Sequence, residues 1–131
     1  EVADPLGEAC FAPARESWVL QHADHTHFES RSIDLGEVVD LEALILALRL
    51  FVQFDGIRMV RIKGVVRAAS GDVMCVETVE RYVMPPRFMQ STSFETSRLV
   101  LIGRDAPKSL FDYAERTLRS AAQGEKVRVI A

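Results

Sequence analysis

Hydrophobic positions recur along this chain at two periods, and each period predicts an element. From His25 the residues alternate, with Thr26, Phe28, Ser30 and Ser32 on one face and His27, Glu29, Arg31 and Ile33 on the other, the period of a β-strand. Polar residues on both faces place that strand at a sheet edge or in a partly exposed position. In LEALILALRLFVQF the apolar residues Leu41, Leu44, Ile45, Leu48 and Phe51 or Val52 return at helical spacing, so a helix with one apolar stripe is expected there. Asp40 is positioned to cap its start and Asp55-Gly56 to end it.

IRMVRIKGVVRAA is rich in β-branched residues and reads as a strand, although its alternation slips between Met59 and Val60. Ser70-Gly71-Asp72 is a turn signal, and VMCVETVERYV beyond it completes a hairpin that Pro85-Pro86 stops. After the polar loop MQSTSFET, the continuous apolar run of SRLVLIGR suits a central strand. A second helix starts near Asp105 or Pro107, its Leu110, Phe111, Ala114 and Leu118 again at helical spacing. KVRVIA, after Gly124, can add one short final strand. The order β-α-β-β-β-α predicts an α+β fold: a largely antiparallel sheet with two helices packed on one face. Residues 1–21, with Pro5, Gly7 and Pro13 and no sustained period, read as a linker or N-terminal arm, and residues 22–131 as the domain.

Composition narrows the classes. With 131 residues, 48% hydrophobic and 27% charged, one globular domain is expected and disorder of the whole chain is not. No apolar run approaches the roughly 18 residues of a membrane span, so no membrane partner is expected. The formal net charge of −3, with both signs interspersed, argues against nucleic acid as a partner. Cys10 and Cys75 lie far apart, and Cys75 within DVMCVETV reads as a buried, reduced thiol, which fits the cytoplasm. The chain opens at Glu1 without a secretion signal and is expected to be a piece of a longer protein.

Catalytic signatures are missing from the sequence. It has no phosphate-binding glycine loop of either common type, no H-E-x-x-H, no C-x-x-C and no G-x-S-x-G, so an enzyme acting by itself is not expected. Two candidate sites remain. His22, His25 and His27 are the three histidines of the chain; on a strand His25 and His27 share a face, where imidazoles can hold zinc or cobalt with Asp24 or Glu29 as further ligands. The plainer alternative is that they are solvated residues at a strand start. Arg61 and Lys63, on one face of a strand and followed by Gly64, which admits a bulge or a close backbone approach, can meet an acidic partner or an anion; the plainer alternative is that Glu77 or Glu80 answers them across the hairpin. Gly103-Arg104 adds a third cation, at a strand-to-helix turn.

Taken in order, HTHFESRSI, DLEALILAL, MVRIKGVV with Arg61, Lys63 and Gly64, and LVLIGRD with Gly103 and Arg104 resemble the C-terminal domain of the CobW, or cobalamin synthesis protein, family of metal-handling GTPases. The resemblance runs from about Asp24 to Leu118. It implies an α+β domain that follows an N-terminal P-loop GTPase domain, where GTP would bind and a cysteine-rich metal motif would lie; this chain carries neither. It implies a noncatalytic role in a GTP-dependent metallochaperone, with the GTPase domain and a metal-receiving client protein as partners. Histidines often precede this domain in such proteins, which raises zinc or cobalt binding at His22, His25 and His27. ERYVMPPRFMQSTSFE departs from the resemblance, being more polar and proline-broken than the apolar strand expected before the last one. The alternatives are a free-standing ligand-binding or enzymatic domain built on Arg61, Lys63, Glu77 and Arg104, and a homo-oligomerisation module pairing through the strand at Thr26 to Ile33.

Overall fold

The computed structural model describes residues 27–90 and 94–124. They form an α+β domain: β1 (Phe28–Gly36), α1 (Leu41–Asp55), β2 (Arg61–Arg67), β3 (Val73–Val79), β4 (Tyr82–Val83), β5 (Arg87–Phe88), β6 (Ser97–Arg104) and α2 (Lys108–Ala122). The sheet has the order β1-β6-β2-β3-β4, with β5 on the same outer edge of β3, and all its ladders are antiparallel. The apolar run of SRLVLIGR therefore becomes an inner strand, between β1 and β2, as its continuous hydrophobicity predicts.

Strand periodicity sorts the residues onto two faces. Ile33, Leu35, Ile62, Val66, Met74, Val76, Leu99 and Leu101 point toward the helices and are buried. From α1 they meet Leu44, Ala47, Leu48, Phe51 and Val52, and from α2 Phe111, Ala114, Leu118, Ala121 and Ala122. Asp40 caps α1, its carboxylate accepting from the Ala43 amide at 3.0 Å. α2 is tied down over β1: Arg31 Nη1 donates to Asp112 Oδ1 at 2.8 Å and Glu115 Oε1 at 3.1 Å, and Arg119 Nε donates to the Asp34 carbonyl at 3.0 Å.

Several expectations change in detail. Gly56 ends α1 with φ of −65°, not in a left-handed conformation; glycine is needed there because a Cβ would lie 2.5 Å from both the Glu80 and Val52 carbonyl oxygens. β2 begins at Arg61, not Ile57: Met59 and Val60 are both buried in the turn before it, which accounts for the slip in alternation. VMCVETVERYV is not one strand. Val79 pairs with Tyr82, and the chain reverses through Glu80 (φ 52°) and Arg81, after the Glu80 amide has bonded the Val60 carbonyl at 2.8 Å. The proline-broken stretch then supplies only the two-residue β4 and β5. α2 starts after Pro107, which offers no side-chain cap, and Asp105 instead pairs with His27. The arm at 1–21 and the final KVRVIA strand lie outside the described residues.

Candidate functional site

Among the described residues no helix lies on the second face of the sheet, and pairing register fixes what it displays. Arg61, Lys63, Val65 and Arg67 alternate outward on β2; Arg98, Val100, Ile102 and Arg104 do so on β6; Cys75, Glu77 and Val79 on β3. On β1 the outward residues are Phe28, Ser30, Ser32 and Asp34, each opposite a residue of β6. The segment after β5 covers one end of this face: Met89 and Phe94 pack on Val65 and Cys75, and the Arg67 guanidinium lies 4.5 Å from the Phe94 ring centroid. Arg87 Nη2 is 3.4 Å from the buried Cys75 sulfur.

Lys63, Arg61 and Glu77 meet in the middle. Arg61 Nη2 donates to Glu77 Oε2 at 2.7 Å, Lys63 Nζ stands 3.8 Å from the same oxygen, and Arg87 Nη2 is 4.0 Å from Glu77 Oε1. Glu77, not Glu80, thus answers the strand cations, and among the described residues it is the carboxylate that Arg61, Lys63 and Arg87 share. The side chains of Arg61, Lys63 and Glu77 are only 20%, 16% and 17% exposed, yet Arg61 Nε has no hydrogen-bond partner. Gly64 makes this possible by letting β6 close in: a Cβ there would overlap the Arg98 carbonyl oxygen and the Leu99 side chain. Of the two roles expected of Gly64, a bulge or a close approach, it takes the second, since the β2 registers run unbroken.

Arg104 shares the face but not the cluster. Its Nη2 donates to the Ile57 carbonyl at 3.2 Å and its amide to the Arg58 carbonyl at 2.7 Å, so it fastens the turn before β2. Arg61, Lys63, Glu77 and Arg104 are therefore on one side of the sheet, as a shared ligand-binding surface requires, with three of them in mutual reach. Sequence reasoning singled out neither Arg98 nor Arg67. The signal was present in the alternation of β6 and β2, where both fall in phase with Lys63.

Of the histidines, only His27 lies within the described residues. Its ring Nε2 is 3.1 Å from Glu29 Oε2, both side chains exposed, and its backbone closes the end of β1 through bonds of 3.1 Å to Asp105 Oδ1 and 2.8 Å from the Asp105 amide. His22 and His25 lie outside the described residues, so the three-histidine site is not among them. Among the described residues no group of three or more His, Cys, Asp and Glu side chains is arranged to hold a metal ion. Nor, among them, is any helix long and apolar enough to cross a membrane.

A groove at the opposite end of the fold runs between Val39, Asp40, Ala68, Ser70, Ala122 and Gln123. It offers a helix-capping carboxylate that is already bonded to Ala43, and an exposed Ser70 hydroxyl that donates to Asp72 Oδ2 at 2.9 Å within the turn between β2 and β3.

Comparison with known proteins agrees with the fold. The family described as the cobalamin synthesis protein cobW C-terminal domain matches residues 28–121. Among solved structures the chain is similar to the Zn(II)-bound YjiA GTPase from E. coli and to a Zn(II)-bound triple mutant of YjiA, in each case with a TM-score of 0.56 and 17% identity. The similarity covers 76% of this chain but 30% of each GTPase chain, and at that identity it bears on the fold alone. No curated protein matches the chain.

Proposed function

This chain belongs to the family of the CobW C-terminal domain, and on that premise we propose that it is the noncatalytic module of a CobW-like, GTP-dependent metallochaperone, working in the cytoplasm by docking to its GTPase domain or to the client that receives the metal. The family match over residues 28–121 carries this reading. In support, the motifs that would hold GTP are missing from the chain, and the face away from the helices offers charge instead of a catalytic pair.

Docking is tested by titrating the chain into the P-loop GTPase domain of a CobW-type protein, loaded in turn with GDP and with a non-hydrolysable GTP analogue. Saturable binding that differs between the two states is expected. Its absence in both states overturns the interdomain reading.

An accessory zinc or cobalt site at His22, His25 and His27 belongs to the same proposal. The His27 and Glu29 side chains support it by standing 3.1 Å apart in solvent, an imidazole just before β1 and a carboxylate on it. Calorimetric titration with zinc and with cobalt is expected to show binding that disappears when all three histidines become alanine; binding that survives the substitutions assigns the ion elsewhere.

The homo-oligomerisation alternative draws on β1, which ends the strand order with nine residues. Scattering across a concentration series separates it: a mass that stays at one chain removes it.

A further inference from the structure

The charge on the open sheet face does not balance. Arg61, Lys63, Arg67, Arg98 and Arg104 stand on two adjacent strands, with Arg87 on the edge, against Glu77 in the middle and Asp34 at the rim. The whole chain is acidic, with a formal charge of −3, so this face is positive against the sign of the molecule. Arg67 and Arg104 have internal roles, over the Phe94 ring and on the Ile57 carbonyl. Lys63 and Arg61 are left mostly buried on a single shared carboxylate, with Lys63 Nζ beyond hydrogen-bond distance of it and Arg61 Nε unpaired. Withdrawing cationic donors from water without full compensation is unfavourable. A missing acceptor supplied from outside would remove the deficit.

We propose that the open face, centred on Lys63 and Arg61, is a docking site for an extended acidic protein segment whose carboxylates alternate with aliphatic residues. This rests on the reading of the chain as a docking module and names the chemistry of the partner. Three features select that occupant. Lys63 and Arg61 are two residues apart on one strand, about 6.6 Å at a strand's rise of roughly 3.3 Å per residue, which equals the spacing of alternate side chains in an extended peptide. The cations are interleaved with the half-buried Val100 and the exposed Val79, which match aliphatic side chains better than a chain of phosphates. Glu77 sits among the cations and repels closely spaced phosphate charges, while single carboxylates can take Lys63 Nζ and Arg61 Nε and leave Glu77 in place.

The test uses the full 131-residue chain. It is titrated with a short synthetic peptide alternating glutamate and valine, with the same peptide carrying glutamine for glutamate, and with inorganic phosphate, while backbone amide resonances are followed. The glutamate peptide is expected to bind, to move the amides of β2 and β6, and to weaken as salt rises; the glutamine peptide is expected not to bind. Lys63→Met should weaken binding by about tenfold or more, the loss of a hydrogen bond to a charged group. Its circular dichroism and melting curve check that it folds, and Arg61→Met gives a second, independent removal of a donor.

Binding of the glutamate peptide that survives both substitutions, or that moves only the β1 edge, overturns the site. Phosphate competing at equal concentration reassigns it to small anions, and self-association that consumes the face reassigns it to a second copy. The underlying docking reading fails separately: a GTPase domain that binds Lys63→Met as well as the original chain keeps docking but removes this face from it. A GTPase domain that binds neither, while the peptide binds at Lys63, removes the interdomain contact and keeps the acidic partner.

Discussion

The two faces of the sheet solve the same problem differently. Under the helices, apolar side chains interlock and the two fully buried polar residues are both satisfied: the Thr78 hydroxyl accepts from the Ile62 amide at 3.1 Å, while the Ser97 hydroxyl accepts from the Arg67 amide at 3.0 Å and donates to the Glu37 carbonyl at 3.2 Å. On the open face, cations outnumber acids, and one buried guanidinium nitrogen has no partner. Among the described residues the covered face is closed, and the open face is not. The difference teaches where stability should reside and where binding should, and substitutions can drive the two apart.

The largest effect belongs to the covered face. Leu101 lies under the helices at 0% exposure, opposite Ile62 on β2 and Arg31 on β1. Leu101→Ala removes buried methyl groups and leaves a cavity that close-packed neighbours only partly fill, so a loss of about 2–5 kcal/mol is expected in urea unfolding. A loss no larger than that of an exposed residue would mean that the helices do not cover the sheet as described.

Glu77→Gln comes next and acts on the open face. It keeps the shape and removes the one carboxylate that Arg61, Lys63 and Arg87 share, leaving mostly buried cations unanswered; a loss of about 1–3 kcal/mol is expected. The loss should shrink when Lys63→Met is added, because one uncompensated charge is gone. Strict additivity in that double-mutant cycle would contradict the shared cluster.

The seam between β1 and α2 should be felt on the acid side. Hydrogen bonds from Arg31 and then Lys108 hold the Asp112 carboxyl below its ordinary range, and the Gly36 amide and Thr96 hydroxyl do the same for Asp34. Carboxyls depressed in the folded state contribute stability above their unfolded values near pH 4, and that contribution is lost as pH falls through the lower folded values. Melting temperature should therefore drop on acidification below about pH 4, and Arg31→Met should reduce the part due to Asp112 while leaving that of Asp34. Both groups are exposed, so added salt should blunt the effect. Asp40→Ala is expected to cost about 1 kcal/mol through the lost cap on the Ala43 amide, read from the same melts.

How far these features could be read in advance depended on their range. Period alone located β1, α1, β3, β6 and α2, because amphipathic helices and half-buried strands write their burial into local order. It ran too far at Ile57 and at Glu80, because both reversals are fixed by contacts across the fold. Gly56 lies against the Glu80 carbonyl, and the Glu80 amide donates to the Val60 carbonyl, pairings that no local window contains. The pairing of Arg61 and Lys63 with Glu77 was legible from hairpin register. The addition of Arg98 and Arg67 was not, since it requires knowing that β6 lies beside β2. The metal reading of His22, His25 and His27 rested on spacing, and only His27 falls where the structure speaks to it.

The smallest expected effect is the sharpest test of the comparison. Lys63 is 16% exposed, and a residue so buried on the covered face would not be replaceable without loss. On the open face its aliphatic stem packs while its ammonium group finds only a distant half-share in Glu77, at 3.8 Å. Methionine keeps much of that stem and removes the charge, so Lys63→Met should leave stability within about 0.5 kcal/mol of the original, on the stabilising side if anything. A near-neutral result would mean that Lys63 is held in place at no benefit to the fold, as a side chain kept for binding should be. A loss as large as that of Glu77→Gln would mean that the Lys63 charge is already satisfied within the chain, and the contrast between the two faces would then be one of polarity without any consequence for docking.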